Sequence, residues 1–542
     1  MSVSLIDGCD RASFAQHGMW ITERMGAGGR VYAMPFAVRF DGPLDVEAML
    51  AACAAVVRRH PVLASALAER DGRVRLVSGE TPPPIRSEDV SGQPGRIEAE
   101  ISSPFDLVTG PLARFTLFRL EPTRHLLLIV AHHAVFDGMS KDVVLRDLAA
   151  AYGGAALPPL PVSYGEAARA EQDRVAAQLE QAADFWRPRW HDDQNLLLPG
   201  ATRPSLRAAP GEAVDLELGG EAAEIAERLG LTRFEVLLAA LHTLLHRYGN
   251  DQVTVAVDLS TRTEETRDHI GPFVNELPVV STPHGTFAEF ARSLREELRA
   301  VYRHREVPLA RALGGISPRT ALTPVSVSYR RCSAADPVFT GLDTSVDWMM
   351  FNGAVRNTLH LQIVDSPGGL ETRLQFNPEI LGRADCVRVA EDLPALLRGI
   401  AARPDAPLGE LPPPGGRVTP TRDADLAGAP GVDQGSAPGA APASAPAAVS
   451  EVTPGSARDL AATAGEAAGP VLLGQVEAIW REVLGVDEIQ PDDDLFDLGG
   501  HSLSITQIIA RVRDQMGVEL SFEVFIDTPT VAGVAEEIAR SR

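Results

Sequence analysis

The sequence predicts an α/β protein of two lobes, followed by a flexible tether and a small all-α bundle of four helices. Three observations predict it. Over residues 1–402, apolar runs with strand character alternate with segments of helical period. From 403 to 469 the chain turns to Pro, Ala, Gly and Ser with scattered acids, and aromatic residues vanish. Beyond that, residues 470–542 carry helical patterning.

At 542 residues the chain is too long for one hydrophobic core and is expected to divide into two to four domains. With 45% apolar and 23% charged residues it has the composition of an ordinary folded protein. Residues 46–57 (VEAMLAACAAVV) fit a helix, and 125–131 (HLLLIVA) fit a buried strand. Residues 232–248 place apolar side chains at helical spacing behind Thr232, a residue able to cap them. The β-branched run 252–258 (QVTVAVD) reads as the next strand. Such units fill an N-terminal lobe over 1–185 and a C-terminal lobe over 186–402. The segment 403–469 cannot bury enough surface to fold. As a coil of roughly 60 residues it spans about 43 Å, so it tethers without fixing orientation. In the bundle, 473–484 is amphipathic, an acidic loop runs through Asp494, and 502–516 forms a second helix. A turn at 522–525 precedes a last helix near Pro529, where proline suits the first turn.

The formal charge of −23 excludes a nucleic-acid binder, because nothing could neutralise a run of phosphates. Cys9, Cys53, Cys332 and Cys386 lie far apart without CxxC spacing, so neither a disulfide framework nor a zinc site is expected. The start (MSVSLIDGCDRA) has no basic region followed by an apolar block, and no apolar run approaches membrane-spanning length. A cytoplasmic location without membrane partners is the expectation.

Residues 494–505 read DLFDLGGHSLSI. Gly499 and Gly500 leave backbone uncovered for close approach by another protein and permit a sharp turn. The helix opening at Ser502 directs free N–H groups and a positive dipole end toward any anion attached there. Phe496, Leu498 and Leu503 are expected to supply an apolar footing and a partner-facing patch. Gly-Gly-x-Ser alone also fits a plain loop with an N-cap serine, but here the whole motif sits in an acidic helical segment. It closely resembles the phosphopantetheine attachment site of peptidyl carrier domains, over all of 470–542. The resemblance implies that a phosphopantetheinyl transferase adds 4'-phosphopantetheine to Ser502, whose new thiol carries acyl or aminoacyl groups as thioesters. Asp492, Asp493 and Asp494 read as a solvated face that steers basic partners, and no metal is expected.

Directly after the apolar strand, 132–138 read HHAVFDG. A histidine at a strand exit is held rigidly while its ring faces a channel, and its near-neutral pKa suits proton handling. Two adjacent histidines alone are explained equally by packing. The run resembles the HHxxxDG signature of nonribosomal peptide synthetase condensation domains and their chloramphenicol acetyltransferase-like relatives. Further motifs follow the same family in order: SFAQHGMW at 13–20, RHPVLASAL at 59–67 and IGPFVNELP at 270–278, then, more loosely, HREVPL at 304–309 and RTALTP at 319–324. The resemblance implies two such lobes in a V, with His133 midway along a channel that arms enter from opposite ends. Excluding water there favours aminolysis over hydrolysis. By the same resemblance His133 is the catalytic position. It either takes the proton from an attacking amine or orients that amine and stabilises the tetrahedral intermediate. The N–H of Gly138 is an expected oxyanion donor, and His132 and Asp137 hold the loop by hydrogen bonds or an ion pair. Asn275 either supports the channel or bonds a neighbouring loop, while Gln16 and Trp20 read as packing.

Three positions depart from the family pattern. Gly18 replaces an arginine, and Leu322, Thr323 and Pro324 stand for an Arg-Asn-Pro run. Ala64 stands where relatives carry the arginine that pairs with the motif aspartate, so Asp137 needs another partner.

No glycine-rich phosphate loop, acyl-adenylate signature or GxSxG elbow is present. The carrier therefore depends on a separate adenylation enzyme acting in trans, an upstream donor carrier, and a downstream synthetase module or release enzyme. The implied function is amide formation between an upstream carrier-bound acyl or peptidyl thioester and an aminoacyl group on the chain's own carrier. One alternative is transfer from the Ser502 arm to a free amine or alcohol. Another is an inactive docking domain beside a functional carrier.

Overall fold

The computed structural model describes residues 10–412 and 470–541, apart from 27, 71, 94, 192–194, 202–203, 317–318, 333–336, 485, 487–488, 494, 496–497, 499–501, 519, 521–523 and 528–529. The expected linker from 413 onward, Cys9, Asp494, Phe496, Gly499, Gly500 and Pro529 lie outside the described residues, as do the side chains of Ser502 and Leu503.

The N-terminal lobe is built on a five-stranded sheet in the order Asp343–Asp347, Ala33–Asp41, Arg124–His132, Ala113–Glu121, Ile85–Asp89. The central strand Arg124–His132 is buried at every position after Arg124, as its unbroken apolar run predicts. Helices Val46–Arg59 and Ser140–Tyr152 pack together beside this sheet. The first carries Asp45 as N-cap, accepting the Ala48 N–H at 3.0 Å. The C-terminal lobe has a mixed six-stranded sheet in the order Val274–Ser281, Val253–Ser260, Val325–Arg331, Leu359–Ser366, Gly369–Phe376, Glu212–Asp215. Helices Arg233–Arg247, Phe287–Arg303 and Arg383–Ala402 contribute to its core. Thr232 and Thr286 each close a capping box at their helix starts, with Glu235 and Glu289.

Two features differ from the sequence expectation. The strand Asp343–Asp347 belongs by position to the second lobe but pairs antiparallel with Ala33–Asp41, so the first sheet is completed from the second half of the chain. And residues 403–412, expected in the tether, pack on the C-terminal lobe. Leu408 and Leu411 are buried, the Ala288 N–H bonds to Pro404 O at 3.1 Å, and the Leu408 N–H bonds to Gly285 O at 2.9 Å. Proline-rich composition concealed these two leucine anchors, each worth roughly 1.5–3 kcal/mol on burial.

The second unit holds the helices Pro470–Leu484, Val524–Asp527 and Val531–Ser541 and, from Ser504 onward, the helix Ser502–Met516. Val476, Ile479, Trp480, Ile508, Val512, Phe525, Val534 and Ile538 form its buried centre, with Trp480 stacked on Phe525 at 6.3 Å. Asp493 accepts the Gln490 N–H at 2.7 Å, closing the start of the acidic loop. No described helix is long and apolar enough to cross a membrane.

Burial dominates the titration of several histidines. His60, His125, His242, His269 and His304 are all buried and all held below the ordinary imidazole value, His242 down to about 3. The unfolded chain takes up protons near pH 6.5 while these folded imidazoles stay neutral. Their stabilising contribution is therefore full above about 6.5 and is lost as pH falls toward their folded values. For His242 alone the loss reaches about 2 kcal/mol at pH 5. Glu171 and Asp258, raised to about 7 and about 6, work in the opposite sense, but they are two groups against eight imidazoles, since His17, His133 and His360 are lowered by burial as well. The urea midpoint followed by tryptophan fluorescence is expected to be lower at pH 5 than at pH 7.5. An equal or higher midpoint at pH 5 would contradict this origin of acid sensitivity.

Candidate functional site

The central strand of the first sheet ends at His132, and the chain turns at once into the 3₁₀ segment His133–Val135. His132 shapes that turn. Its Nδ1 accepts the Ala134 N–H at 3.0 Å, which leaves Nε2–H to face Glu23 Oε1 at 3.3 Å. Tyr32 and Phe105 pack on its ring at 5.6 and 6.1 Å. Gln16, fully buried and fixed by a capping box with Ser13, donates from Nε2 to Ala134 O at 2.9 Å. The turn is thus held from both sides, and the ring of His133 is left facing a cavity.

That cavity has a volume of ≈ 260 Å³ and lies between the lobes. His133, Asp137 and Gly138 line it from the first lobe, and Asp258, Tyr329 and Arg356 from the second. Nδ1 of His133 is buried with no hydrogen-bond partner among the described residues. Desolvation, and then the Arg356 guanidinium, push its imidazole down to about 4. The near-neutral value expected from the sequence is not what this surrounding produces, because the walls from the second lobe strip water from the ring. His133 is consequently neutral at physiological pH, with a lone pair available. Arg356 itself is strengthened as a cation, first by Glu276 at 3.5 Å and also by Asp258 at 3.9 Å.

Gly138 lies on the cavity wall with open space where a Cβ would stand, and its N–H meets no acceptor among the described residues. Its carbonyl accepts from Arg330 at 3.4 Å. An unpaired main-chain donor and a neutral imidazole thus line the same cavity.

Asp137 plays a different part. Its Oδ1 accepts the Ser140 N–H and Oγ–H, both at 2.8 Å, and Nη2 of Arg262 at 2.7 Å, while Oδ2 accepts the Phe273 N–H at 3.0 Å. Arg262 is therefore the partner that Ala64 cannot supply. Both side chains of this pair are almost wholly buried, at 4% and 3% exposure. Arg262 also donates to Thr266 O at 3.0 Å and His269 O at 2.6 Å, so it folds the segment leading into the IGPFVNELP motif. Main-chain donors of that motif then reach the first lobe. The Ile270 N–H bonds to His60 Nδ1 at 3.3 Å and the Gly271 N–H to Ser140 Oγ at 3.1 Å. Only glycine fits at 271, since a Cβ would lie 2.4 Å from the Tyr164 ring.

Asn275 is not brought to the cavity. It sits on Val274–Ser281 and donates from Nδ2 to Arg305 O at 2.9 Å, which is the neighbouring-loop alternative. Thr323 is buried in the second sheet, donating to Val325 O at 2.6 Å and accepting the Ala256 N–H at 3.0 Å. Sequence reasoning missed Arg262 and Arg356. The need for a cation opposite Asp137 was the available signal, but it does not select one arginine among many.

A 15-residue helix begins at Ser502. The first-turn N–H groups of such a helix have no intrahelical acceptors, which fits a serine bearing a phosphodiester.

Two lobes meeting at a cavity that is faced by a histidine at a strand exit, with an unpaired main-chain donor on the same wall, form an architecture of the condensation type. Residues 10–414 match the condensation domain family and 474–538 match the family described as the phosphopantetheine attachment site. The chain belongs to the condensation-domain family and carries a phosphopantetheine-binding domain after it. It is 29% identical over 430 residues to chondramide synthase of Chondromyces crocatus, covering 74% of this chain and 11% of that one. It is 28% identical over 417 residues to tyrocidine synthase 3 of Brevibacillus parabrevis, covering 74% and 6%. The chain thus spans about a tenth or less of the length of these relatives. Among solved structures, the X-domain from teicoplanin biosynthesis superposes with a TM-score of 0.65 at 25% identity, covering 75% of this chain and 98% of that one. The first condensation domain of the calcium-dependent antibiotic synthetase gives 0.63 at 23%, covering 75% and 99%.

Proposed function

We propose that this chain is a condensation–carrier didomain of a nonribosomal peptide synthetase. It joins an acyl or peptidyl thioester from an upstream carrier to an aminoacyl group held on its own Ser502 arm. The observation that carries the reading is the neutral His133 imidazole facing an inter-lobe cavity beside the unpaired Gly138 N–H. Phosphopantetheine on Ser502 supplies a thiol on which the amino acid is presented. His133 orients the amine with its lone pair and accepts a proton as the bond forms, and the Gly138 N–H faces the oxygen on which negative charge develops. Asp137 and His132 hold the turn and do not meet substrate. A phosphopantetheinyl transferase, an adenylation enzyme acting in trans, an upstream carrier and a downstream module or release enzyme complete the system, and the cytoplasm is where these partners would be met.

The likeness to the X-domain, which is also known in a complex with OxyB, favours a second reading in which the large domain is a docking surface. Intact-protein mass spectrometry decides. With both carriers loaded, the expected result is extended product as a mass adduct at Ser502 that disappears in Ser502→Ala. Product released into solution would instead show transfer from the arm to a free acceptor, and a fully loaded protein with no product would support docking.

A further inference from the structure

Lys141 is the only lysine in the chain, and it does not lie on the surface. It is the second residue of the helix Ser140–Tyr152, just past Gly138, with 6% exposure, and it lines the same cavity as His133. Its Nζ donates to Trp348 O at 3.1 Å and lies 5.8 Å from the centre of the Phe36 ring. No carboxylate forms an ion pair with it among the described residues. The nearest acid in sequence, Asp142, is taken by Arg330 at 3.1 Å, and that guanidinium stacks on Trp348 at 3.9 Å. Asp347 is engaged with the Met349 N–H at 3.2 Å. A buried ammonium without an ion-paired carboxylate is expensive. Burial, and then Arg330, push Lys141 down to about 7, against the weaker opposing pull of Asp347 and Asp142. The chain keeps an amine here where an apolar residue would pack without that cost.

We propose that Lys141 selects the incoming acyl group by pairing with a carboxylate at its far end, so that the cavity favours acidic acyl donors over neutral ones of equal length. The inference rests on the reading above, in which the acyl carbonyl lies at the Gly138 N–H. Lys141 follows three residues on and lines the same cavity, so an acyl tail that extends from Gly138 into that cavity comes within reach of its ammonium. A substrate carboxylate supplies the missing counter-ion and restores the charged ammonium. A methyl end leaves it dehydrated and unpaired. Discrimination of at least about tenfold is expected from such a charge-assisted pair.

The test measures binding, so it needs no turnover. The probes are non-hydrolysable amide analogues of glutaryl- and valeryl-pantetheine, five-carbon chains that differ at the end distant from the reacting carbonyl. Titrated into the full-length protein in a calorimeter, the glutaryl analogue is expected to bind at least about tenfold tighter. In ¹⁵N-lysine-labelled protein the single side-chain signal should move with glutaryl and stay with valeryl. Lys141→Met should remove or reverse the preference, and Lys141→Arg should keep it, which guards against a variant that merely misfolds. A role confined to tying Trp348 predicts equal losses for both probes in Lys141→Met. That outcome, or equal affinities in the unaltered protein, overturns the proposal. Failure of these measurements concerns Lys141 alone, whereas failure of the condensation reading appears in the product assay.

Discussion

Replacing His133 by alanine is expected to lower condensation by about 10²–10⁴-fold while leaving the fold as stable as before, or slightly more so. The two halves of this expectation come from the same geometry. The imidazole makes no hydrogen bond from Nδ1 among the described residues, and desolvation holds it far below its ordinary value, so the ring costs the folded state something and repays little in contacts. What fixes the turn lies elsewhere, in His132, Gln16 and Asp137. A structural histidine would show the reverse pattern, a lower melting temperature with partial activity. The measurement is the initial rate of adduct formation at Ser502 with both carriers loaded, beside the melting temperature of the same sample. Unchanged turnover in His133→Ala would remove the catalytic assignment and leave docking as the function of the large domain. Loading of Ser502 by the transferase should be equal in both proteins, because the substitution leaves the helix that opens at Ser502 unaltered.

Where the sequence was informative, the information was local. Residues 125–131 announced a strand because a central strand buried on both faces must be apolar throughout, and the histidine motif followed at its exit. Thr232 was readable as a cap because its signal lies within a few residues, and the helix Ser502–Met516 opens where the glycine pair and serine place it. What stayed hidden depends on chain segments far apart. Arg262 meets Asp137 across 125 residues, and nothing in its flanking residues distinguishes it from other arginines. The low basicity of His133 is imposed by walls from the second lobe and by Arg356, so the ordinary imidazole value was the wrong starting point. The edge strand Asp343–Asp347 is short and polar, and only its partner Ala33–Asp41 makes it a strand. Lys141 is conspicuous in the sequence only for being alone. Its burial and missing counter-ion become visible once the cavity is formed.

The second large effect is expected at Arg262. In Arg262→Ala the Asp137 carboxylate stays buried with its charge uncompensated, and stability should fall by about 3–5 kcal/mol. The loss exceeds that of a surface ion pair because both partners are shielded from water and because Arg262 serves five acceptors at once, Asp137, Ser140 Oγ, Thr266 O, His269 O and Gly271 O. Releasing it frees the segment whose Ile270, Gly271 and Phe273 N–H groups reach His60, Ser140 and Asp137, so the lobes lose a set of contacts close to the cavity that His133 faces. Activity should therefore fall further than the folded fraction, measured at a temperature where the variant is still folded. Arg262→Lys should recover only part of either quantity, since one ammonium cannot reproduce the planar fork. The discriminating measurement is a double-mutant cycle with Asp137→Asn. If the pair acts as one unit, the double variant is less destabilised than the sum of the single changes, with a coupling of about 0.5–3 kcal/mol. Additive losses would mean that Arg262 acts through its main-chain acceptors alone, and that the charge of Asp137 is balanced without it.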